Sequence, residues 1–192
     1  MGKKDKIFTY KTNSPIVAKN CFFYEGFQGE MLAPTALNNI INKIKKHKII
    51  KNKFYNYKDV YIARGDRDKH RNRRKLLNEN KLIQILKKSI PNLKVIAPGY
   101  ITILDAILIM HNTKNIFSMT GTQLVLNSLF SNNPKKITEL TPSNYYGLTT
   151  GELVARYKKA NYLKSDTKSK KPGWIFYEDQ IANIKNLKKI IK

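Results

Sequence analysis

From Val60 to about Tyr162, two kinds of apolar pattern take turns along the chain. VYIA, at 60–63, is a short unbroken apolar run of the kind a strand buried on both faces requires. NENKLIQILKKSI then places Leu82, Ile83, Leu86 and Ile90 at the spacing of one helical face, with Asn78 positioned to cap it and Pro91 to stop it. LKVIAP predicts a second strand. In TILDAILIMHN, Thr102 and Asp105 stand at capping-box spacing, and a segment apolar on most sides predicts a buried helix. NIFSM predicts a third strand, Gly121 breaks the chain before a short helix TQLVLNSLF, and KKITEL predicts a fourth strand. Thr149 and Glu152 are placed to cap GELVARYKKANYL. Strand and helix alternate with short connections, so the expected fold is α/β: a Rossmann-like parallel sheet with helices on both faces.

On either side the pattern weakens. IFTY and NCFFYEGF read as extended, and Thr35 is placed to cap ALNNIINKIKKHKI. After the fourth unit, KSDTKSKKPG is polar and rich in breakers and reads as a linker, WIFY as a last short strand, and EDQIANIKNLKKIIK as a terminal helix. The expected organisation is an N-terminal extension or interdomain remnant at 1–56, a Rossmann-like domain at 57–163, and at 164–192 a linker, strand and helix packing on it.

Charge adds a class of partner. Among 192 residues there are 37 Lys+Arg against 13 Asp+Glu, a formal net charge of +24 that favours phosphorylated ligands, nucleic acid or an anionic membrane face. The abundance of Asn, Ile and Lys throughout also means that much of this lysine is simply solvated surface. A single cysteine, Cys21, excludes an internal disulfide and a cysteine-built zinc site. MGKKDK is followed by no secretory apolar run and no stretch reaches membrane-spanning length, so a cytoplasmic protein is expected, drawn to the membrane face by its charge.

Arginine marks the candidate chemistry. ARGDRDKHRNRRKLLNE, at 63–79, holds Arg64, Arg67, Arg71, Arg73 and Arg74, whereas Arg156 is the sole arginine elsewhere. A guanidinium offers a planar fork of donors to phosphate or carboxylate where lysine offers a point charge. The loop follows the first strand and leads into a helix, and the carboxyl ends of parallel strands are where ligands of such sheets sit. Thr120-Gly121-Thr122 falls at the same edge, where a glycine lets backbone approach phosphate, and Glu139 ends the fourth strand in position to accept from ribose hydroxyls. Together they describe a nucleoside-diphosphate pocket; separately, each reads as a surface salt-bridge lattice, a turn and a strand-end acid. Asp66 and Asp68 have the spacing of a divalent-metal pair, but the neighbouring guanidiniums compete for them, and no metal is expected. His47, His70 and His111 are scattered; His111 ends the buried helix as a capping or core-edge residue, and His70 lies in the basic loop. Trp174, Tyr145 and Tyr146 can stack on a base or sugar, or simply pack.

The order of motifs, VYIAR, RKLLNE, YITILDAILIMHNTKNIFSMTGT, NSLF and ITELTP, resembles the C-terminal half of glycosyltransferase family 61, including its capsular-polysaccharide branch, from about Tyr57 to Tyr162. That resemblance implies a two-domain GT-B enzyme, inverting and metal-independent, whose C-terminal half holds a nucleotide-sugar donor used in polysaccharide or glycan assembly. It implies donor contacts for Arg64, for Arg74, Asn78 and Glu79 as the Arg-Asn-Glu box, for Thr120, Gly121 and Thr122, and for Glu139. Many members have His-Gly-Ala where this chain has Thr120-Gly121-Thr122. No catalytic residue is assigned, and no cofactor beyond the nucleotide-sugar substrate is expected. The stretch before the matched region is short for an acceptor domain, so the expected partners are a nucleotide-sugar, a glycan or polysaccharide acceptor and a second chain supplying an acceptor domain. The alternatives are a basic nucleic-acid-binding module and an inactive nucleotide-sugar-binding or partner-docking domain.

Overall fold

A computed structural model describes residues 55–64, 75–97, 100–143, 145, 149–169 and 179–191, together with 42, 43 and 46. Asn42, Lys43 and Lys46 are helical, as the pattern after Thr35 predicts; the remainder of that helix, IFTY, NCFFYEGF and WIFY lie outside the described residues.

Six strands form one sheet in the order β2-β1-β3-β4-β5-β6. They are β1 (Asp59–Ile62), β2 (Lys94–Ile96), β3 (Asn115–Met119), β4 (Lys136–Pro142), β5 (Asn161–Ser169) and β6 (Gln180–Ala182). The first five run parallel and β6 pairs antiparallel to β5. The helices are α1 (Glu79–Ser89), α2 (Ile103–Met110), α3 (Thr122–Phe130), α4 (Thr150–Lys158) and α5 (Ile184–Ile191). The sheet curls into a half-barrel with the helices around it, an α/β Rossmann-like fold as the alternation predicts.

The strands bury both faces, which explains their unbroken apolar runs. Val60, Ile62, Ile116 and Ile137 pack with α2, α3 and α4 on one face; Tyr61, Phe117, Met119 and Leu140 pack with Leu82 and Leu86 of α1 and Leu187 of α5 on the other. The capping box at α2 forms in both directions between Thr102 and Asp105. Thr149 caps α4, its hydroxyl accepting from the Glu152 amide at 3.2 Å.

Two expectations give way here. The first six residues of KSDTKSKKPG are strand, not linker, and Asn161–Leu163, expected to end the helix, begin the same strand. Backbone pairing to β4 from Asn161 through Thr167 holds β5, and its inward residues are the small hydroxyl side chains Ser165 and Thr167, so no apolar run marks it. The Thr167 hydroxyl donates to the buried Gln180 side chain at 2.9 Å. Likewise Gln180–Ala182, expected within the terminal helix, form β6, and the helix starts only at Ile184.

Candidate functional site

In a parallel sheet whose chain winds first one way and then the other, the crevice opens where the direction reverses, outside the carboxyl ends of the strands. Here the chain goes from β1 outward to β2, returns to β3 on the other side of β1, and then continues to β4 and β5. The reversal therefore lies between β1 and β3. Arg64 leaves the carboxyl end of β1, and Thr120-Gly121 leaves that of β3.

These two departures are bonded to each other: Arg64 Nη2 donates to the Thr120 carbonyl at 3.1 Å. Thr120 is itself fixed by its amide, which donates to the Leu140 carbonyl at 2.9 Å. Gly121 then turns the chain into α3 with φ 137° and ψ 176°, a conformation essentially confined to glycine. No side chain caps α3, and Thr122 and Gln123 in its first turn are exposed, so the helix presents its first amides at the crevice.

Glu79, the first residue of α1, fixes Arg64 from the other side. Its Oε1 accepts from the Arg64 amide at 3.0 Å and from the Tyr61 hydroxyl at 2.8 Å. Tyr61 is fully buried, and its phenol is held well above the usual tyrosine range by burial first and then by the Glu79 carboxylate, with the Arg64 charge opposing. A buried phenol needs a hydrogen-bond partner, and only the folded geometry supplies this one, 18 residues along the chain. The sequence pattern carries Tyr61 merely as part of an apolar run.

Two further expected site residues are engaged by the fold. Asn78 stands before α1 but its side chain makes no cap; it pairs with β6, donating to the Ala182 carbonyl at 3.0 Å and accepting from the Ala182 amide at 2.8 Å. Glu139 is completely buried on the opposite sheet face from Tyr61, under the amino end of α4. Its carboxylate accepts from the Thr149 hydroxyl, from the Tyr162 hydroxyl at 2.9 Å and from the Gly151 amide at 3.3 Å. Burial and that carboxylate push the Tyr162 phenol upward as well. A carboxylate at a helix amino terminus is favoured both by the orphan amides and by the helix dipole.

Of the eight expected donor-site residues, Arg64, Glu79, Thr120, Gly121 and Thr122 thus gather at the β1–β3 crevice, while Asn78 and Glu139 tie strands to helices. Arg74 lies outside the described residues, as do Asp66, Asp68, His70, Tyr146 and Trp174. Tyr145 is half-buried, its carbonyl accepting from Lys164 Nζ at 3.4 Å, and His111 is the last residue of the α2 cap, as expected. Among the described residues no three His, Cys, Asp or Glu side chains form a metal-sized cluster.

Residues 10–138 of the 192 match a protein family described as Glycosyltransferase 61. The matched span takes in the whole β1–β3 crevice and begins well before the region whose motifs carry the resemblance; Glu139 falls one residue beyond it. No curated protein matches the chain.

Proposed function

The chain belongs to glycosyltransferase family 61, and from that membership we propose that the β1–β3 crevice seats the diphosphate of a nucleotide-sugar whose sugar is passed, with inversion, to a glycan or polysaccharide acceptor. The observation that carries this reading is the bond from Arg64 Nη2 to the Thr120 carbonyl, which sets a guanidinium and the uncapped start of α3 side by side at the fold's switch point. Arginine forks and helix amino termini both favour phosphate oxygens. Gly121 supplies a backbone turn essentially confined to glycine at the start of α3, and the Thr122 hydroxyl can donate beside it.

Within this reading Glu79 and Tyr61 hold Arg64 in place, and Asn78 and Glu139 brace the surrounding elements instead of touching the ligand. The leaving diphosphate gains charge as the glycosidic bond to the sugar breaks. A fixed cation and helix amides stabilise that charge in the role a divalent metal plays elsewhere, so transfer proceeds without metal.

Calorimetry with uridine and guanosine diphosphates tests the seat. We expect binding that is unchanged by chelator, and Arg64→Lys to weaken it about 5- to 150-fold, the equivalent of about 1–3 kcal/mol for a lost charge-assisted fork. Equal affinity in wild type and variant would remove Arg64 from the site. Absence of affinity for any nucleoside diphosphate or its sugar conjugate at millimolar concentration would remove the reading.

A further inference from the structure

The edge of the sheet opposite the crevice carries a different pattern. In sheet order, the amino ends of the five parallel strands are marked by Lys94, Lys58, Lys114, Lys136 with Lys135 before it, and Lys159 two residues before β5. With adjacent strands about 4.8 Å apart, five strands spread these lysines over about 19 Å. Arginine is absent from this series, in contrast to the crevice edge.

Two of the lysines have local work, and a third is half-buried. Lys94 Nζ lies 5.1 Å from the Tyr57 ring centre, Lys114 Nζ donates to the Asn133 carbonyl at 3.3 Å, and Lys136 is half-buried at the start of β4. The neutral explanation for the remainder is that they offset the carboxyl ends of α2, α3 and α4, which point to this edge. Lys158 does that by contact, donating to the Leu129 and Ser131 carbonyls at the end of α3. Lys58, Lys135 and Lys159 do not do so by contact, although Lys159 is the residue that ends α4: all three are exposed, and none makes a side-chain hydrogen bond or ion pair among the described residues. Asp59, the acid at the start of β1, is occupied by the Asn115 amide at 2.7 Å.

Exposed tyrosines accompany them. Tyr55, 48 % exposed, stacks at 5.7 Å on Tyr57 beside the end of α2, and Tyr157, 37 % exposed, lies in the last turn of α4. We propose that this edge is a docking surface for an anionic phospholipid membrane. A row of lysine point charges fits headgroup phosphates that present no fixed geometry, and tyrosine rings partition to the headgroup level with the hydroxyl in water. Among the described residues Arg64 lies at the other edge, and Arg156, in the last turn of α4, is paired with Glu152 at 2.7 Å, so the unpaired cations of this surface are lysines. Docked this way, the crevice faces away from the bilayer. No helix among the described residues is long and apolar enough to cross a membrane, so such contact is peripheral.

The test compares two triple variants of equal net charge. Lys58→Gln/Lys135→Gln/Lys159→Gln alters the proposed surface, and Lys81→Gln/Lys164→Gln/Lys168→Gln alters exposed lysines of α1 and the farther part of β5. Binding is read by co-sedimentation with phosphatidylcholine vesicles containing about one-third phosphatidylglycerol, at about 0.15 M salt, where charges beyond about 8 Å are screened. The wild type should bind these vesicles and not pure phosphatidylcholine. The first variant should lose about 100-fold in partitioning, about 5-fold per lysine near the surface, while the second changes less than about 5-fold and both keep the wild-type circular dichroism. Equal losses in the two variants would reduce the effect to bulk charge and overturn the proposal. So would failure of the wild type to bind the anionic vesicles, or a loss in the first variant that appears only with duplex DNA.

Discussion

Gly151 occupies the first turn of α4, where alanine would ordinarily be preferred by up to about 1 kcal/mol. A Cβ at this position would stand 2.6 Å from Glu139 Oε2 and 2.8 Å from Leu124 Cδ2, closer than packed atoms come. Gly151→Ala should therefore lower stability by about 1–3 kcal/mol despite its gain in propensity, as overpacking does; thermal denaturation of the variant checks it, and a raised midpoint would contradict the close seat of the carboxylate. Gly121 is constrained differently, by its positive φ of 137°. Gly121→Val should cost about 1–3 kcal/mol in backbone strain and abolish nucleotide binding, measured by calorimetry on the folded fraction. At this scale the sequence made Arg64, Gly121 and Glu139 visible because their residue types are chemically specific. It could not tell that Glu139 lies under α4 while Arg64 faces the crevice, since one residue's place in the strand register settles which face a side chain takes.

Among the elements, β6 has little apolar anchoring: it is three residues long, only Ala182 joins the core, and Ile181 points to solvent. The two bonds between the Asn78 side chain and Ala182 replace a strand neighbour on that side, helped by Leu77, whose amide donates to the Gln180 carbonyl at 2.9 Å. Asn78→Ala should leave α1 in place, because the side chain does not cap it, and loosen β6. Amide hydrogen exchange at Gln180–Ala182 should accelerate about 10- to 100-fold, matching about 1–3 kcal/mol of lost hydrogen bonding to buried backbone; unchanged protection would show that β6 is held by its pairing to β5 and its backbone bonds to Lys75 and Leu77, without the Asn78 side chain. Helix α3 and strand β3 were legible to the residue and helix α2 to within two, because capping residues, a glycine and unbroken apolar runs punctuate them. Strand β5 was not, because a strand whose inward side chains are Ser165 and Thr167 announces itself only through the partner it pairs with.

For the whole molecule, the pH dependence of stability is set by groups whose proton affinity changes on folding. Tyr61 and Tyr162 are both raised, by burial first and by Glu79 or Glu139 next. A raised folded value means that their contribution is fully present below the unfolded phenol range near 10 and is lost as pH rises beyond it. Lys158, lowered by burial, has the opposite sign: its contribution grows as pH rises toward about 10.5. Denaturant midpoints should therefore fall above about pH 10, and Tyr162→Phe should flatten that fall; an unaltered slope would place the effect elsewhere. The sequence by itself determined the α/β class, the parallel strands β1 to β4 with their helices, and the gathering of arginines after the first strand, because hydrophobic periodicity, capping and residue chemistry are local properties. Tertiary structure alone decided that β1 and β3 are neighbours with the crevice between them, that Tyr61 and Glu79 lock Arg64, that Glu139 is buried beneath α4, and that lysines scattered along the chain align on one edge. Each of these depends on strand order and register, which arise from pairing between segments far apart in the chain and leave no periodic trace within any one of them.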